Sequence, residues 1–289
     1  MQEVKVAQRS SEWKEFRKGK IGASMAATIL NLSPYRTALQ AWEDLINEVE
    51  IKTTDSMQLG IDAEDFVLQK VNEELNTKFE PKVFQMKQHP NLIASLDGWD
   101  GIEHVEIKVV GHTTHEQARQ GNVPDLYFPQ CQHQCMVMGT PSAWYASARV
   151  ERLGKDEFIL NDLILLQIDR DEEFIKDMQA KELEFLSFLV NFQPPPAIDR
   201  DWIEINDPDL LQKVRKLKEL NQDIVWIEER KEEIRKQLIF DHPRIKIGNT
   251  KVQRIVRRGN IQYDKIPELS GLDLEPYRKP PTTSVRIYE

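Results

Sequence analysis

The apolar positions of the first 80 residues recur at helical spacing. Leu39, Trp42, Leu45 and Ile46 fall on one helical face, and the same period continues from Leu59 to Leu75. One apolar stripe per helix is typical of amphipathic helices that pack on a core. The pattern predicts helices at about 37–50 and 57–75, a short helix opened by Ser10 as N-cap, and another over 22–30.

The pattern changes after residue 80 to short apolar segments of the strand type. Segments 82–86, 92–96 and 104–110 predict consecutive strands of an antiparallel meander. The run Asp-Gly-Trp-Asp-Gly at 97–101 is a dense turn signal and is predicted to join the second and third strands. The remaining pattern predicts helices at 115–120 and 126–138, strands at 143–150 and 157–168, and a helix at 171–191.

This order of elements predicts a mixed α/β core with a central sheet and helices on both faces. Three prolines at 194–196 cannot continue the preceding helix, so we place a boundary there, with one domain over 1–193 and a second module over 194–289. Residues 1–200 carry 21 Lys and Arg against 32 Asp and Glu, a net charge of −11, whereas 201–289 carry 18 against 16, a net of +2.

The second module is predicted to contain a long helix and a β-hairpin. A polar helix from Asp207 to about Phe240 bears an apolar stripe, which is typical of one arm of a helical hairpin or of a coiled-coil oligomer. Strands at 244–247 and 251–256 around Gly-Asn-Thr follow as a hairpin.

Composition excludes several classes of protein. The 289 residues contain no apolar run of membrane-spanning length, and the N-terminus lacks the apolar segment of a signal peptide. Two cysteines, Cys131 and Cys135, cannot build a disulfide framework, so we expect a cytoplasmic protein without a membrane partner. The net charge of −9 by itself argues against a nucleic-acid partner.

The candidate chemistry lies in Asp97, eight intervening residues, and Glu106-Ile107-Lys108. On a strand, Glu106 and Lys108 share a face while Ile107 points into the core. If the two strands pair, Asp97 lies near Glu106, and two carboxylates suit Mg²⁺. A lysine with a lowered pKa beside a metal-bound water would then serve phosphodiester hydrolysis. A surface strand of alternating charge explains the same pattern.

Other residues admit two interpretations. His112, His115 and His133 with the two cysteines have spacings that zinc sites use, but cysteines inside an apolar helix are more often buried and inert. Trp99 fits a turn or core position, or stacking on a base.

Several motifs together resemble the lambda-exonuclease-type (YqaJ-like) viral recombinase family, of the PD-(D/E)XK nuclease superfamily. The resemblance runs from about residue 9 to 150. It rests on Glu-Trp-Lys-Glu-Phe-Arg at 12–17, Lys-Ile-Gly-Ala-Ser at 20–24, Leu-Gly-Ile-Asp-Ala-Glu at 59–64, Asp97 with Glu106-Ile107-Lys108, and Tyr-Phe-Pro-Gln-Cys-Gln-His-Gln at 127–134.

The resemblance implies a restriction-endonuclease-like core and 5′-to-3′ degradation of one strand of linear duplex DNA by two-metal hydrolysis, with Mg²⁺, or Mn²⁺ in its place. It assigns Asp97, Glu106 and the carbonyl of Ile107 to the metal, and Glu64 to a second ion. It also implies that Lys108 orients or deprotonates water and that Gln130 positions the nucleophile or the scissile phosphate. The alternative is that Glu64 and Gln130 are solvent-facing residues of their helices, since a polar helix surface has the same spacing of polar residues.

The resemblance also implies a pocket for the 5′-phosphate of the DNA. It assigns Arg17 and Ser24 to this phosphate, and Ser95 is a further candidate donor. Arg17 could equally be a solvated helix residue. Val109-Val110 stand where the family often has Cys-Pro, and no arginine just after that strand offers a further phosphate contact.

The block 244–258 carries basic residues and no acid, as expected of a DNA-binding ribbon or of a solubilising surface. Its candidate DNA contacts are Arg254, Arg257 and Arg258. The tail from Tyr277 to Ile287 resembles the end of some phage-encoded members.

The sequence thus favours a metal-dependent DNA exonuclease that supplies single strands for recombination. The family implies a trimeric ring and a single-strand annealing protein as partner. An endonuclease or structure-specific nuclease on the same core, and a non-catalytic DNA-binding scaffold, are the alternatives.

Overall fold

The computed structural model describes residues 1–49, 52–238, 242–257 and 282–288. The chain divides into two compact units, Met1–Ile203 and Glu204–Glu289. A functional boundary at residue 194 stays a prediction.

The first unit is built on a mixed sheet, as the pattern of elements predicts. Its strands are β1 (Gln2–Val4), β2 (Ile21–Gly22), β3 (Glu80–Gln85), β4 (Leu92–Trp99), β5 (His104–Val109), β6 (Ser142–Arg152) and β7 (Phe158–Asp169). The order is β1-β3-β4-β5-β6-β7, with β2 beside β4. The β5–β6 and β2–β4 pairs are parallel and the others are antiparallel. The predicted meander of β3, β4 and β5 is confirmed.

Helices flank this sheet and begin where the sequence supplies caps. They are α1 (Ser11–Arg17), α2 (Ala26–Ile29), α3 (Ala38–Ile46), α4 (Asp55–Leu75), α5 (His112–Arg119), α6 (Phe128–Met138) and α7 (Glu172–Val190). Ser10 caps α1 by accepting from the Trp13 amide, and Thr37 forms a capping box with Gln40 on α3. Gly139, at φ +71°, ends α6 in the left-handed conformation.

Two apolar clusters lie on opposite faces of the sheet. One contains Leu96, Tyr145 and Cys131 and is covered by α2, α3, α6 and α7. The other contains Val105 and Ile107 and is covered by α4. Alternation along β5 therefore sends Ile107 into one core and leaves Glu106 and Lys108 on the face of α6, as predicted.

Two local predictions are wrong. The helix expected at 22–30 is the end of β2, a 3₁₀ turn at Ala23–Met25 and the single-turn α2. The turn expected at 97–101 begins later, because β4 continues to Trp99 and the turn is closed by Asp100, whose carboxylate accepts from the amides of Ile102 and Glu103 at 2.8 Å each.

The turn was predicted too early because Gly98 was taken as a turn residue. In the structure this glycine lies in β4, where close packing leaves no room for a side chain. A Cβ at this position would lie 2.6 Å from the Phe79 Cβ and 2.8 Å from a Val105 methyl group. The strand also bulges here: Trp99 pairs with Glu80 and Leu96 with Lys82, so Asp97 and Gly98 lie opposite Pro81 alone. Pro81 has no amide hydrogen to donate, which suits it to this position.

The second unit contains α8 (Pro208–Gln237) and a small antiparallel sheet of β8 (Arg244–Ile247), β9 (Thr250–Arg257) and β10 (Thr282–Tyr288). The predicted long helix and hairpin are present. No helix in the described ranges is both long and apolar enough to cross a membrane.

Candidate active site

The predicted acidic pair meets where β4 and β5 separate. The strands pair only at Gly98 with Val105 and at Trp99 with His104, and continuing that register places Asp97 opposite Glu106. The Asp97 carboxylate accepts a hydrogen bond of 2.8 Å from the Ile107 amide. The bulge brings Asp97 to the same side of the sheet as Glu106, although its neighbour Leu96 packs in the core on that side.

Glu106 is held by three donors from two elements. Lys108 and Gln130 both donate to its Oε1, and Gln134 donates to its Oε2. Its side chain is only 1% exposed. Gln130 and Gln134 lie one turn apart on α6, so this helix fixes the carboxylate in one orientation. Gln134 is thus a site residue that the sequence did not predict.

The electrostatics of the site are those of crowded carboxylates. Burial, the Glu106 carboxylate and Glu64 raise the pKa of Asp97 well above its usual value. Burial also raises the pKa of Glu64, and the charge of Glu106 adds to this effect although Arg9 opposes it. Each pKa shift reflects the free-energy cost of placing further negative charge beside these buried carboxylates.

The expectation of a lysine with a lowered pKa is wrong. Burial acts in that direction, but the charges of Glu106 and Asp97 outweigh it and raise the pKa of Lys108. Lys108 is therefore an ammonium group at neutral pH, with its Nζ 5.5 Å from the centre of the Tyr127 ring.

A cavity of about 340 Å³ joins the carboxylates to the predicted phosphate-binding residues. Its walls include Arg17, Ser24, Ser95, Asp97, Glu106, Lys108 and Gln130. Residues from α1, the 3₁₀ turn, β4, β5 and α6 thus meet in one place, which the sequence predicted only through the resemblance.

Arg17 lines this cavity and has no acidic partner among the described residues. Its guanidinium carbon lies 4.3 Å from the centre of the Trp13 ring, and burial lowers the pKa of its side chain. Within the described ranges, no carboxylate oxygen lies within 4.0 Å of it. The indole of Trp13 also donates to the Ser95 hydroxyl at 3.0 Å. Trp13 therefore contacts two of the three predicted phosphate-binding side chains, Arg17 and Ser95.

Sequence reasoning missed Arg9, which also lines the cavity. Its guanidinium forms an ion pair with Glu64 and donates to the Ile61 carbonyl at 3.4 Å. Arg9 has φ +67°, a conformation uncommon for a residue with a side chain. Only a contact across 55 positions reveals its role, so no local sequence signal could have found it.

The donor set at Asp97 and Glu106 fits a hard divalent cation. No three His, Cys, Asp or Glu side chains converge as a complete metal shell in the described part of the chain. Mg²⁺ needs only one or two carboxylates and keeps several waters, so Asp97, Glu106 and the adjacent Ile107 carbonyl are sufficient in kind. The raised pKa of Asp97 shows an excess of negative charge that a cation would relieve.

The histidines and cysteines have structural roles. Cys131 and Cys135 are buried, and burial raises the pKa of both thiols, that of Cys135 to about 11. His115 contacts Ser147 and Asp162, and His133 contacts Glu182 and the Ile93 carbonyl. Trp99 packs edge-on against Phe84 at 5.9 Å in the main core.

The basic hairpin belongs to the second unit. Arg254 lies on β9, where its amide donates to the Pro243 carbonyl at 2.9 Å. Arg257 ends β9, and its side chain is not described. Arg258 and residues 277–281 of the predicted tail segment lie outside the described residues, and the rest of that segment lies in β10.

Comparison with known proteins finds a family model that matches part of the chain. Residues 12–141 match the model of the YqaJ-like viral recombinase domain. The chain contains a YqaJ-like viral recombinase domain. This span includes every predicted site residue of the first unit.

Two relatives place this YqaJ-like domain among known proteins. An uncharacterized protein YqaJ of Bacillus subtilis (strain 168) is 25% identical over 198 residues, which are 65% of this chain and 59% of that protein. An alkaline exonuclease (LHK-Exo) from Laribacter hongkongensis, also solved in complex with dAMP, is 23% identical, with a TM-score of 0.54 over 63% of this chain and 94% of its own. The structural likeness shows that the YqaJ-like domain has the fold of that exonuclease.

Proposed function

We propose that the protein is a divalent-metal-dependent DNA exonuclease that degrades one strand of linear duplex from a 5′-phosphorylated end. The observation that carries the proposal is that Asp97 and Glu106 line the same cavity as Arg17, which has no acidic partner among the described residues. The YqaJ-like family and the exonuclease fold support the same activity.

In the proposed mechanism, Asp97, Glu106 and the Ile107 carbonyl would hold Mg²⁺ or Mn²⁺, and the bound ion would supply charge stabilisation at the scissile phosphate. Gln130 and Gln134 keep Glu106 oriented toward the cavity. Lys108, as an ammonium group, would keep its proton and donate a hydrogen bond that orients the attacking water or a phosphate oxygen. A second ion would use Glu64, and Arg9 would then leave that carboxylate.

The end of the DNA is selected at the other side of the cavity. Arg17 presents a planar guanidinium, which matches phosphate oxygens in pairs, and Trp13 limits its rotation. Ser24 and Ser95 add hydroxyl donors. A terminal phosphate at Arg17 would place the adjacent phosphodiester toward Asp97 and Glu106. The 5′ polarity itself is proposed from the family resemblance.

The second unit contributes a basic surface. Lys246 and Lys251 face each other directly across β8 and β9. Like charges in this position are unfavourable unless an anion lies between them. We propose that this hairpin holds the DNA backbone outside the active site, with a trimeric ring and an annealing partner as further proposals from the family.

Digestion of end-labelled linear duplex with Mg²⁺ or EDTA tests the activity. We expect shortening of 5′-phosphorylated strands with Mg²⁺ only, and loss of at least about a hundredfold in rate for Lys108→Ala. Intact linear DNA under all conditions would contradict the exonuclease and favour a DNA-binding scaffold. Cutting of closed circular DNA would indicate an endonuclease.

Arg17→Ala tests end selection separately. We expect the rate ratio of 5′-phosphate to 5′-hydroxyl ends to fall about tenfold or more, because a charge-assisted bidentate contact is lost. Lys14→Ala, on the exposed side of α1, removes the same charge outside the cavity and is the matched control. An equal effect of both variants would contradict the proposed role of Arg17 in binding the terminal phosphate.

A further inference from the structure

The helix α8 carries an apolar stripe that the described residues leave uncovered. None of its residues is buried. The exposed fractions along the stripe are 59% for Leu217, 46% for Leu220, 58% for Ile224, 53% for Ile227 and 50% for Ile234. Aliphatic side chains exposed in a row of this length favour association with another surface.

The spacing of the stripe is that of a coiled coil. Steps of three and four residues alternate from Leu217 through Leu220, Ile224 and Ile227, and the next steps reach Lys231 and Ile234. This is a heptad repeat with the a positions at 217, 224 and 231 and the d positions at 220, 227 and 234. On a straight helix, a stripe with a strict seven-residue repeat slowly turns around the axis. Two such helices keep their stripes in contact by winding around each other in a left-handed supercoil.

We propose that α8 pairs with α8 of a second copy of this chain, and that the two helices run antiparallel. The flanking charges decide the direction. The g positions of this repeat are Asp223 and Arg230, and the e positions are Asn221, Glu228 and Arg235.

A parallel pair would bring like charges together. In that arrangement each g residue faces the e residue five positions later in the other helix. Asp223 would then face Glu228, and Arg230 would face Arg235, so that both flanks repel.

An antiparallel pair brings opposite charges together. The g positions then face g positions and the e positions face e positions. In the register that pairs Ile224 with Ile227 of the second copy, Asp223 meets Arg230 of the second copy, twice by symmetry. On the other flank Glu228 faces the neutral Asn221, so this register brings no like charges together. Arg230, Lys231 and Arg235 also have exposed partners three residues away on their own helix, pairs that contribute little and can be exchanged.

Lys231 is compatible with this arrangement although it lies on the seam. Its aliphatic stem can pack beside the apolar layer while its ammonium reaches solvent and stays near Glu228. A single polar residue at an a position restricts the register and the number of helices in a coiled coil, at some cost in stability.

Charge reversal in the full-length chain tests both the pairing and its direction. Sedimentation or light scattering across a dilution series would measure the dimer Kd of the wild type and of Asp223→Arg. We expect Asp223→Arg to raise Kd at least about tenfold, since two attractions become repulsions. Asp223→Arg combined with Arg230→Asp restores the opposite charges and should return Kd to near the wild-type value.

A variant on the apolar stripe and a control variant beside it distinguish association through α8 from association through any other surface. Ile227→Glu should abolish pairing through α8 and halve the mass of the associated species, while a trimeric ring of the family type would persist. Trp226→Glu, which changes an exposed residue off the stripe, should leave Kd within about twofold. Both positions are exposed, so neither substitution disturbs a core. Circular dichroism would verify helix content.

Three results would overturn the proposal. A wild-type chain that stays monomeric at tens of micromolar would exclude the pairing, and so would an oligomer that Ile227→Glu leaves unchanged. A tighter complex for Asp223→Arg would show that the helices run parallel. None of these measurements depends on nuclease activity.

Discussion

At the scale of single residues, the site depends on how Glu106 is held. Its carboxylate accepts from Lys108, Gln130 and Gln134 and has almost no contact with solvent. Side chains that orient a metal ligand commonly change metal affinity by 10- to 100-fold when they are removed.

Gln134→Met should therefore weaken metal binding. It removes the donor to Oε2 at similar volume, so we expect about a tenfold rise in the Mg²⁺ concentration for half-maximal activity and weaker Mn²⁺ binding by calorimetry. Gln132→Met is the control, because Gln132 lies on the same helix but bonds to the backbone of Asp169 and Asp171. That variant should lose stability and keep its metal requirement. Unchanged metal binding in Gln134→Met would contradict the role of Gln134.

His104 gives a prediction about pH. Burial lowers its pKa to about 4, and its Nε2 has no hydrogen-bond partner in the described part of the structure. The unfolded chain takes up a proton near pH 6.5 and the folded chain does not, so stability falls as the pH drops from about 6.5 toward 4. The loss should approach about 3 kcal/mol at the low end.

Urea unfolding of wild type and His104→Leu at several pH values checks this contribution. The wild type should lose free energy of unfolding more steeply than the variant between pH 6.5 and 4.5. Parallel curves would mean that His104 is charged in the folded protein, or that it does not titrate in this range.

At the scale of elements, two glycines have opposite roles. Gly98 lies in β4 against Phe79 and Val105, whereas a Cβ on Gly60 in α4 would meet nothing within 4 Å. A glycine in a strand can thus mark close packing, and a glycine in a helix can be replaceable.

Gly98→Ala should destabilise the protein by about 1–3 kcal/mol, because the added methyl group forces the core apart at the bulge beside Asp97. Gly60→Ala should stabilise it by roughly 0.5–1 kcal/mol through helix propensity. Thermal or urea unfolding of the two variants measures both effects. A neutral Gly98→Ala would show that β4 can shift there without cost.

The cap and period signals predicted most helices because they act within a few residues. Ser10, Thr37 and Asp171 all cap helices through nearby amides. The turn prediction at 97–101 was wrong because Phe79 and Val105 pack against Gly98 and exclude a side chain there. No local sequence pattern reveals these contacts.

At the scale of the whole molecule, the charge is negative while the proposed substrate is a polyanion. The net charge is −9, and 21 basic against 32 acidic residues lie within 1–200. The carboxylates of the active site add to this repulsion, and a bound cation would reverse the local field.

Binding of linear duplex should therefore depend on divalent ions even when no cleavage occurs. With Ca²⁺ in place of Mg²⁺, we expect affinity at least about tenfold higher than in EDTA at the same ionic strength. Asp97→Asn should reduce this difference, since one carboxylate is neutralised. Fluorescence anisotropy measures all three conditions, and equal affinity with and without Ca²⁺ would contradict the expectation.

The sequence by itself determined the alternation of Glu106, Ile107 and Lys108, the order of helices and strands, and the heptad of α8, because periodicity and capping are local. Tertiary structure decided the rest. A bulge at Asp97, opposite Pro81, sets the orientation of one carboxylate, and an ion pair links Arg9 to Glu64 across 55 positions. The charges of Glu106 and Asp97 keep Lys108 protonated, against the expectation from burial alone. Each of these depends on distances between residues far apart in the chain, which a pattern along the chain does not contain.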